Sequence, residues 1–276
     1  MKLFYVMGGG LGHLYRVRTF IDQLGLSFFK ILTNNPLAGK LFTEEEIVWC
    51  RGDDKSEVIA HVNSILYTVQ EVELYVDSFP AGLFGELKSS PQITFKYLAR
   101  RLKWNLYRAL AKDCTIRYDH TYCFEELEPE HLDFVNSNST YTTTINLNYP
   151  KPRPGRIPSG LIPTDKPIWL VVHSFIREEV EALLAYAEEV AHLEKSSPTL
   201  VVLTDQPINR TDILCFPYFP ANDWFPLAEK IFTGGGFNIL QQGTDFADKI
   251  TAIPFPRKYD DQYWRVQRFK NKLIEA

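Results

Sequence analysis

The chain has 276 residues, of which 45% are hydrophobic and 14% aromatic, and its formal net charge at pH 7 is −4. This composition can form a large packed core, which excludes a disordered chain, and the small negative charge excludes the basic surface of a general nucleic-acid-binding protein. No apolar run approaches the roughly 18 residues of a transmembrane helix, and the N-terminus lacks a signal-peptide pattern, so we expect a cytoplasmic protein.

Strand-like and helix-like segments alternate along the first half of the chain. Apolar runs of strand length predict strands at 2–7, 28–33, 47–50, 73–76, 93–98 and 120–124. Helical spacing of apolar residues predicts helices at 12–24, 56–69 and 101–112. This alternation predicts a parallel sheet with helices on both faces.

Six prolines lie between Tyr149 and Pro167, a density that no helix tolerates. We therefore predict an N-terminal domain at 1–150, a semi-rigid linker at 151–167 and a C-terminal domain at 168–276. The alternation restarts after the linker, with strands predicted at 168–172, 200–203, 212–216, 230–233 and 250–255. The helices between them are predicted at 176–192, 223–230, 237–242 and 260–274. The predicted fold class is thus α/β, with two Rossmann-like, doubly wound parallel-sheet domains.

The first predicted strand ends in a glycine-rich turn, the first glycine corner (residues 8–12), before the first helix. A buried strand, a glycine turn and a helix N-terminus together can receive an anion. The corner differs from a dinucleotide fingerprint, because His13 occupies the third glycine position and Asn34 and Asn35 follow the second strand in place of an acid. Neither a P-loop nor a G-x-S-x-G elbow occurs.

His13 and Arg16 lie on the first turn after this corner. His13 is either a packed or capping residue or a general base, since a helix N-terminus disfavours imidazolium and keeps the ring able to accept a proton. Arg16 either holds an anion or pairs with an acid. Both alternatives remain open on the sequence alone.

A second glycine corner (residues 234–236) follows the predicted strand at 230–233 and precedes Phe237 and Asn238. Its composition suits a phosphate group, and a tight turn without a ligand is the alternative. Polar residues that end other strands should form the rim of the same cleft. These rim residues are Asp77, His173, Ser174 and Asp205.

Two further groups of residues have a structural and a functional interpretation. The basic, aromatic helix is either a solvated face with a core stripe or a surface for an anionic lipid leaflet or acceptor, and its residues are Arg100, Arg101, Lys103, Trp104 and Arg108. The four cysteines form no C-x-x-C pair and are predicted to be buried free thiols. The sequence contains no Asp-x-Asp motif, so a metal-chelated diphosphate is not indicated.

Taken together, the motifs resemble the two-domain sugar-nucleotide glycosyltransferases of the GT-B fold. The resemblance is to the bacterial transferase that adds N-acetylglucosamine to a lipid-linked peptidoglycan precursor and to a set of uncharacterised glycosyltransferases. It rests on MGGGLGHLYR at 7–16, VDSFPAGLFGEL at 76–87, AEKIFTGGGFNILQQ at 228–242 and PFPRKYDDQYWR at 254–265. These motifs span nearly the whole chain.

The resemblance implies two domains that face each other across a cleft, with transfer from a UDP-linked sugar to an acceptor hydroxyl. His13 would be the general base, and Gly9, Gly10, Gly12 and Arg16 would form the acceptor loop. The diphosphate would bind Gly234, Gly235, Gly236, Phe237 and Asn238 without a metal or other cofactor. Tyr218 and Phe219 would border the base, Gln242 the ribose, and Asp261 and Gln262 the sugar.

The same resemblance leaves other activities open. The UDP-sugar hydrolase of pseudaminic acid synthesis shares the fold and a similar N-terminal loop, with water in place of an alcohol. UDP-sugar 2-epimerases share the fold, but the carboxylates that they need for proton transfer are not recognisable here. Gln242 stands where relatives often carry a glutamate for the ribose, which also admits a non-catalytic sugar-nucleotide-binding protein. The acceptor would be lipid-linked or a glycan, with peripheral contact at the inner face of the membrane.

Overall fold

The computed structural model describes residues 1–161, 165–173 and 176–275, with side chains up to residue 271. The chain divides into two compact units. Unit 1 contains 1–148 and 258–261, and unit 2 contains 149–257 and 262–276. The proline-rich segment thus belongs to unit 2, and a four-residue piece near the C-terminus belongs to unit 1.

Unit 1 is built on a parallel sheet that has seven strands within the described residues, in the order β3-β2-β1-β4-β5-β6-β7. The strands are β1 (Lys2–Tyr5), β2 (Phe29–Thr33), β3 (Ile47–Trp49), β4 (Val72–Asp77), β5 (Ile93–Ala99), β6 (Tyr118–Cys123) and β7 (Ser139–Thr144). Its helices are α1 (Leu11–Gln23), α2 (Lys55–Thr68), α3 (Trp104–Ala111) and α4 (Pro129–Asn138). The strand order reverses direction between β1 and β4, which is where ligands bind in doubly wound sheets.

Unit 2 repeats this plan with a parallel sheet of five described strands in the order β10-β9-β8-β11-β12. The strands are β8 (Ile168–Val172), β9 (Thr199–Leu203), β10 (Leu214–Phe216), β11 (Ala228–Gly234) and β12 (Ile250–Ile253). The helices are α5 (Arg177–Leu193), α6 (Phe237–Gln242) and α7 (Gln262–Glu275). Its order reverses between β8 and β11, so the second glycine corner leaves a strand at this point.

The predicted α/β class with parallel sheets is confirmed, and the central strands show why it was predictable. Every residue of β8 is buried. Leu170 packs into the core on one face of the sheet, and Trp169 and Val171 pack into the core on the other. A strand covered on both faces is apolar throughout, which gives a clear sequence signal.

The sequence analysis missed α4 and β7 and misplaced two helices. β7 is a threonine-rich edge strand with no buried residue, so it lacks a hydrophobic pattern. The helix predicted at 223–230 is a 3₁₀ turn at Ala221–Trp224 followed by the start of β11. The closing helix begins at Gln262, because Asp260 pairs with Leu102 in an isolated antiparallel bridge.

Most of the residues predicted to form a membrane-facing surface around α3 are not exposed. Arg100 and Trp104 are buried, and Arg100 pairs with Asp260 at 2.9 Å. Arg101 pairs with Asp261 at 3.3 Å, and Lys103 is half-buried. Of the five residues only Arg108 is exposed, and it pairs with Glu130. In the described part of the chain, no helix is long and apolar enough to cross a membrane.

The four cysteines are free thiols, as predicted. Cys50 and Cys123 are buried, whereas Cys114 and Cys215 are half-buried. Burial raises the pKa of the thiols of Cys50 and Cys123 to about 11, so neither is a thiolate near neutral pH.

Gly235 allows α7 to lie close to the end of β11. A Cβ at this position would lie 2.6 Å from Val266 Cγ2, inside van der Waals contact. We expect Gly235→Ala to lower the free energy of unfolding by about 1–3 kcal/mol, the range for overpacking a core. Val266→Ala removes the clashing methyl group. The double variant should therefore lose less unfolding free energy than the two single variants lose in sum. Additive effects in denaturant unfolding would contradict this packing.

Candidate functional site

The first glycine corner is shaped by two left-handed glycines and held by an asparagine. Gly8 has φ 119° and Gly10 has φ 79°, values that residues with a Cβ atom rarely adopt. The amide nitrogen of Asn35 donates to the carbonyl oxygens of Gly8 at 3.1 Å and Gly10 at 2.6 Å. Asn34 Oδ1 accepts from the Gly8 N–H at 3.3 Å. The asparagines that replace a dinucleotide-binding acid thus fix the loop itself.

The Asp77 carboxylate lies at the carboxyl end of β4, the neighbour of β1, and is completely buried. Arg16 donates to it from Nε at 3.0 Å and from Nη2 at 2.8 and 2.7 Å. The Arg16 side chain is only 2% exposed. A buried carboxylate needs such partners, because an unpaired charge in the interior costs several kcal/mol, on the order of 3–5.

His13 is the third member of this cluster. Its Nδ1 lies 2.6 Å from Asp77 Oδ2, and its side chain is 17% exposed. The Phe79 ring stacks on the imidazole at 5.8 Å between centroids. The opposite edge of the imidazole borders Gly8, where a Cβ would lie 3.5 Å from Nε2. In the described residues, Nδ1 is the ring nitrogen of His13 with polar side-chain neighbours: Asp77 Oδ2 at 2.6 Å and Arg16 Nη2 at 3.2 Å. Because arginine can only donate, a proton on Nδ1 bonds Asp77 and leaves the Arg16 contact without a hydrogen bond.

The charges in this cluster determine where the proton lies on His13. Burial would raise the pKa of Asp77, but the Arg16 guanidinium and the hydrogen bond from His13 outweigh burial and hold the pKa at about 2. Asp77 is therefore ionised at neutral pH and accepts a hydrogen bond from Nδ1–H. Burial lowers the pKa of His13 against the opposing effect of Asp77, so the ring is neutral near pH 7. The lone pair is then on Nε2, which is the arrangement of a general base.

The turn after β4 orients these groups with a strained residue. Ser78 has φ 64°, an uncommon conformation for a residue other than glycine. Its hydroxyl oxygen accepts from Arg16 Nη2 at 2.8 Å, and its carbonyl accepts from Tyr97 OH at 2.8 Å. The strain is thus held in place by hydrogen bonds to buried partners on α1 and β5.

The rest of the motif at 76–87 has a structural role in unit 1. The Glu86 carboxylate is buried, bonds the Tyr5 hydroxyl and accepts from the Phe84 N–H at 2.8 Å. Tyr107 OH donates to the Gly82 carbonyl at 2.6 Å, and Gly82 has φ 87°. These bonds fix the loop that carries Phe79 against His13.

The structure changes two interpretations in unit 1. The sequence left open whether Arg16 holds an anion or pairs with an acid, and its burial against Asp77 supports the pairing. Asp77 was predicted at the rim of a cleft, but its carboxylate is completely buried, where the Arg16 guanidinium compensates its charge. Of the predicted acceptor loop, Gly10 shapes the corner, Gly9 lies in it, and Gly12 is on the first turn of α1.

In unit 2, the second glycine corner is fixed from α7. Arg265 Nη1 donates to the Gly235 carbonyl at 3.0 Å, and the arginine side chain is buried. Asn238 Oδ1 accepts from Tyr149 OH at 2.7 Å. Gln242, predicted at the ribose, donates from its amide nitrogen to the Asn238 carbonyl within α6 at 3.1 Å.

The other predicted donor residues are spread over both units. Asp261 lies in unit 1 in its ion pair with Arg101, whereas the Gln262 amide oxygen in unit 2 accepts from the Phe255 N–H at 3.0 Å. Their contact with a sugar stays a prediction. Tyr218 OH donates to Asp223 at 3.3 Å, and Phe219 is exposed. Asp205 is exposed just after β9, and Ser174 lies outside the described residues.

His173, predicted at the rim, follows β8 and contacts Glu179 of α5. Its Nε2 lies 2.7 Å from Glu179 Oε2, and both side chains are mostly buried. Both units therefore carry a histidine paired to a carboxylate at the reversal of the strand order. Sequence reasoning found both histidines but did not pair them with their carboxylates. The sheet order brings Asp77 to His13, and the position of α5 brings Glu179 to His173.

Comparison with protein-family models gives no match, and neither does comparison with curated protein sequences. Solved structures do match. UDP-GlcNAc 2-epimerase from Neisseria meningitidis, bound to UDP-GlcNAc, superposes with a TM-score of 0.61 at 10% identity. The match covers 100% of this chain and 92% of the epimerase.

Two glycosyltransferases in complex with thymidine diphosphate are also similar. SsfS6 from Streptomyces sp. SF2575 gives a TM-score of 0.59 at 11% identity, covering 99% of this chain and 86% of that one. The spinosyn rhamnosyltransferase SpnG gives 0.57 at 12% identity, covering 99% and 84%. At these identities the likeness shows the fold alone, and the chain has the GT-B fold that its motifs predicted.

The buried pairing of Asp77 with Arg16 can be tested by stability. We expect Asp77→Asn to destabilise the protein by about 3–5 kcal/mol, because it leaves the Arg16 charge buried without a counter-ion. The double variant Asp77→Asn/Arg16→Met removes both charges and should recover most of that loss in denaturant unfolding. The pairing would be contradicted if Asp77→Asn cost under about 1 kcal/mol or if Arg16→Met gave no recovery.

Proposed function

We propose that this protein transfers a sugar from a nucleoside-diphosphate donor to an acceptor hydroxyl, and that the donor is UDP-linked. We propose that the transfer does not use a metal cofactor. One observation carries the proposal: a neutral histidine whose Nδ1 is bonded to a buried, ionised Asp77 at the strand reversal of a GT-B fold. The fold supports a sugar-nucleotide substrate, since its neighbours were solved with UDP-GlcNAc or thymidine diphosphate.

In this proposal His13 acts as the general base. Nε2 accepts the proton of the acceptor hydroxyl while the oxygen attacks the anomeric carbon, and the bond from that carbon to the phosphate oxygen breaks. The nucleoside diphosphate leaves with the electron pair. Asp77 stays ionised and stabilises the imidazolium that forms, as well as holding the ring in the required tautomer.

Unit 2 would hold the donor at the carboxyl ends of β8 and β11. The second glycine corner, Phe237 and Asn238 are proposed for the diphosphate, Gln242 for the ribose, and Tyr218 and Phe219 for the base. The position of the corner at the strand reversal supports the phosphate assignment. Phe219 is 44% exposed, as a side chain that stacks on a ligand base must be before the ligand binds.

The same His13–Asp77 pair could activate water instead of an alcohol, so hydrolysis of the donor remains the second candidate activity. The histidine chemistry is identical in both cases, and the acceptor decides between them. A lipid-linked or glycan acceptor stays a proposal from the resemblance alone.

Nucleotide binding can be tested first by thermal unfolding with uridine and thymidine diphosphates, their sugar derivatives and the parent nucleosides. A ligand at about 100 times its Kd adds about 2.7 kcal/mol to the free energy of unfolding, which raises Tm by several degrees. We expect the diphosphates and nucleotide sugars to stabilise the protein and the nucleosides to do so much less. No stabilisation by any diphosphate at millimolar concentration would refute the donor site.

The base is tested with the nucleotide sugar that binds best, by release of nucleoside diphosphate and by product analysis with and without alcohol acceptors. His13→Ala should lower kcat by about 10²–10⁴-fold, the usual contribution of a general base. Because burial lowers the pKa of His13, the fall of wild-type kcat/KM on the acid side should have its midpoint below the ordinary histidine pKa.

His61→Ala is the matched control, since His61 lies on α2 and bonds Arg51. It should leave the rate unchanged. Free sugar formed at the same rate with and without every acceptor would favour the hydrolase. An unchanged rate in His13→Ala would refute the base assignment.

A further inference from the structure

The two sheets have four edge strands within the described residues, and β7 is the longest of them. β3 and β10 have three residues each and β12 has four, whereas β7 has six. Short edges offer few backbone groups to another chain, and charged residues or proline protect longer ones. The sequence of β7, STYTTT, contains neither a charge nor a proline. β7 is therefore an edge without the usual protection against strand pairing.

The backbone groups that face away from the sheet belong to the even-numbered residues of β7. Directly after the strand, the Ile145 N–H donates to the Cys123 carbonyl of β6 at 2.9 Å. The N–H and C=O of one strand residue point to the same side, and this side alternates along the strand. Thr140, Thr142 and Thr144 therefore direct their backbone groups outward, and in the described part of the chain β7 pairs with β6 alone. All three threonines are exposed.

We propose that β7 pairs in antiparallel orientation with β7 of a second copy of this chain, about a twofold axis at Thr142. The sheets of unit 1 in the two copies then form one continuous sheet. β7 carries none of the residues assigned to catalysis or donor binding, so this interface does not depend on the proposed function.

This register gives every outward backbone group of β7 a partner. Thr142 faces Thr142 of the second copy, and Thr140 faces Thr144 in both directions. Each of these is the kind of antiparallel pair whose two residues exchange both N–H···O bonds. Moving the axis by one residue along β7 would place Thr140 or Thr144 opposite a residue outside the strand. The axis at Thr142 therefore satisfies the most backbone groups.

The side chains favour the same pairing. One face would hold the threonine pairs, and on the other face Tyr141 would lie opposite Thr143 of the second copy. Pairs of threonines and pairs of an aromatic with a β-branched residue stabilise antiparallel strands, whereas like charges directly opposite destabilise them. A twofold axis sets each strand against an identical one, so a charged residue at the axis would meet its own charge. Because β7 is uncharged, a second copy fits it without such repulsion.

Tyr141 is held where the second copy would cover it. It is 63% exposed, and its ring centroid lies 6.1 Å from that of His120 on β6. His120 in turn stacks on Tyr122 at 4.1 Å between ring centroids. A side chain that is already supported on one side loses less freedom when a contact covers it, which reduces the cost of binding. The tyrosine thus adds apolar area to the backbone pairing.

The test measures the mass of the wild-type protein in solution by sedimentation equilibrium over a range of concentrations. We expect a reversible dimer. Thr142→Pro removes the central outward N–H from each copy, and an edge strand tolerates proline where that N–H faces away from the sheet. It should raise the dimer dissociation constant by about 10- to 100-fold, the value of two hydrogen bonds. Thr142→Val retains the N–H and the β-branched shape, so this matched control should dimerise like the wild type.

Charged variants locate the axis. Thr142→Lys and Thr142→Glu each place two like charges opposite each other at the axis, so each variant alone should be monomeric. An equimolar mixture of the two should form the dimer again, because opposite charges then face each other. Thr68→Lys adds the same charge on α2, away from β7, and should not change the mass. Circular dichroism of each variant checks that the fold is retained.

A monomeric wild type at every concentration would overturn the proposal, and so would a dimer that Thr142→Pro leaves intact. Charged variants that stay dimeric alone, or that stay monomeric in the mixture, would overturn the axis at Thr142. A monomeric wild type that binds a synthetic peptide with the sequence of β7 would also overturn the dimer, since the edge would then accept a separate chain.

Discussion

The buried Asp77 carboxylate is the interaction on which the first site depends. It is ionised although it is buried away from solvent, and it accepts hydrogen bonds from Arg16 and His13, which both lie on α1. Those bonds tie the first turn of α1 to the end of β4 and fix which nitrogen of His13 carries the proton. Removing the Asp77 charge would therefore change the tautomer and the position of the His13 ring, and it would leave the buried Arg16 without its counter-ion.

Sheet order explains how His13 and Asp77, which are 64 positions apart, come to form a hydrogen bond. In a doubly wound sheet the chain leaves β1 in one direction and returns to the other side with β4, so the two strand ends are neighbours. Unit 2 repeats this order around β8 and β11, where His173 meets Gly234. Each unit thus places a histidine beside a carboxylate at the same topological position.

The sequence predicts the fold better than the chemistry. Fully apolar strands such as β8 and the two glycine corners are visible in the sequence, because burial and tight turns restrict residue choice locally. The partner of His13 was not identified, although Asp77 ends a recognisable strand, since its burial depends on strand order. The exposed strand β7 and the burial of Arg100 against Asp260 likewise depend on tertiary contacts, which the local sequence pattern does not indicate.

The central claim is that burial keeps His13 neutral, while the hydrogen bond to Asp77 places the proton on Nδ1 and leaves the lone pair on Nε2. Nitrogen-15 NMR of the histidine rings near pH 7, with His13→Gln to assign the resonance, measures this directly. The account predicts a proton on Nδ1 and an unprotonated Nε2, with Asp77→Asn shifting the population toward the other tautomer. A His13 ring protonated on Nε2, or on both nitrogens, at neutral pH would contradict it.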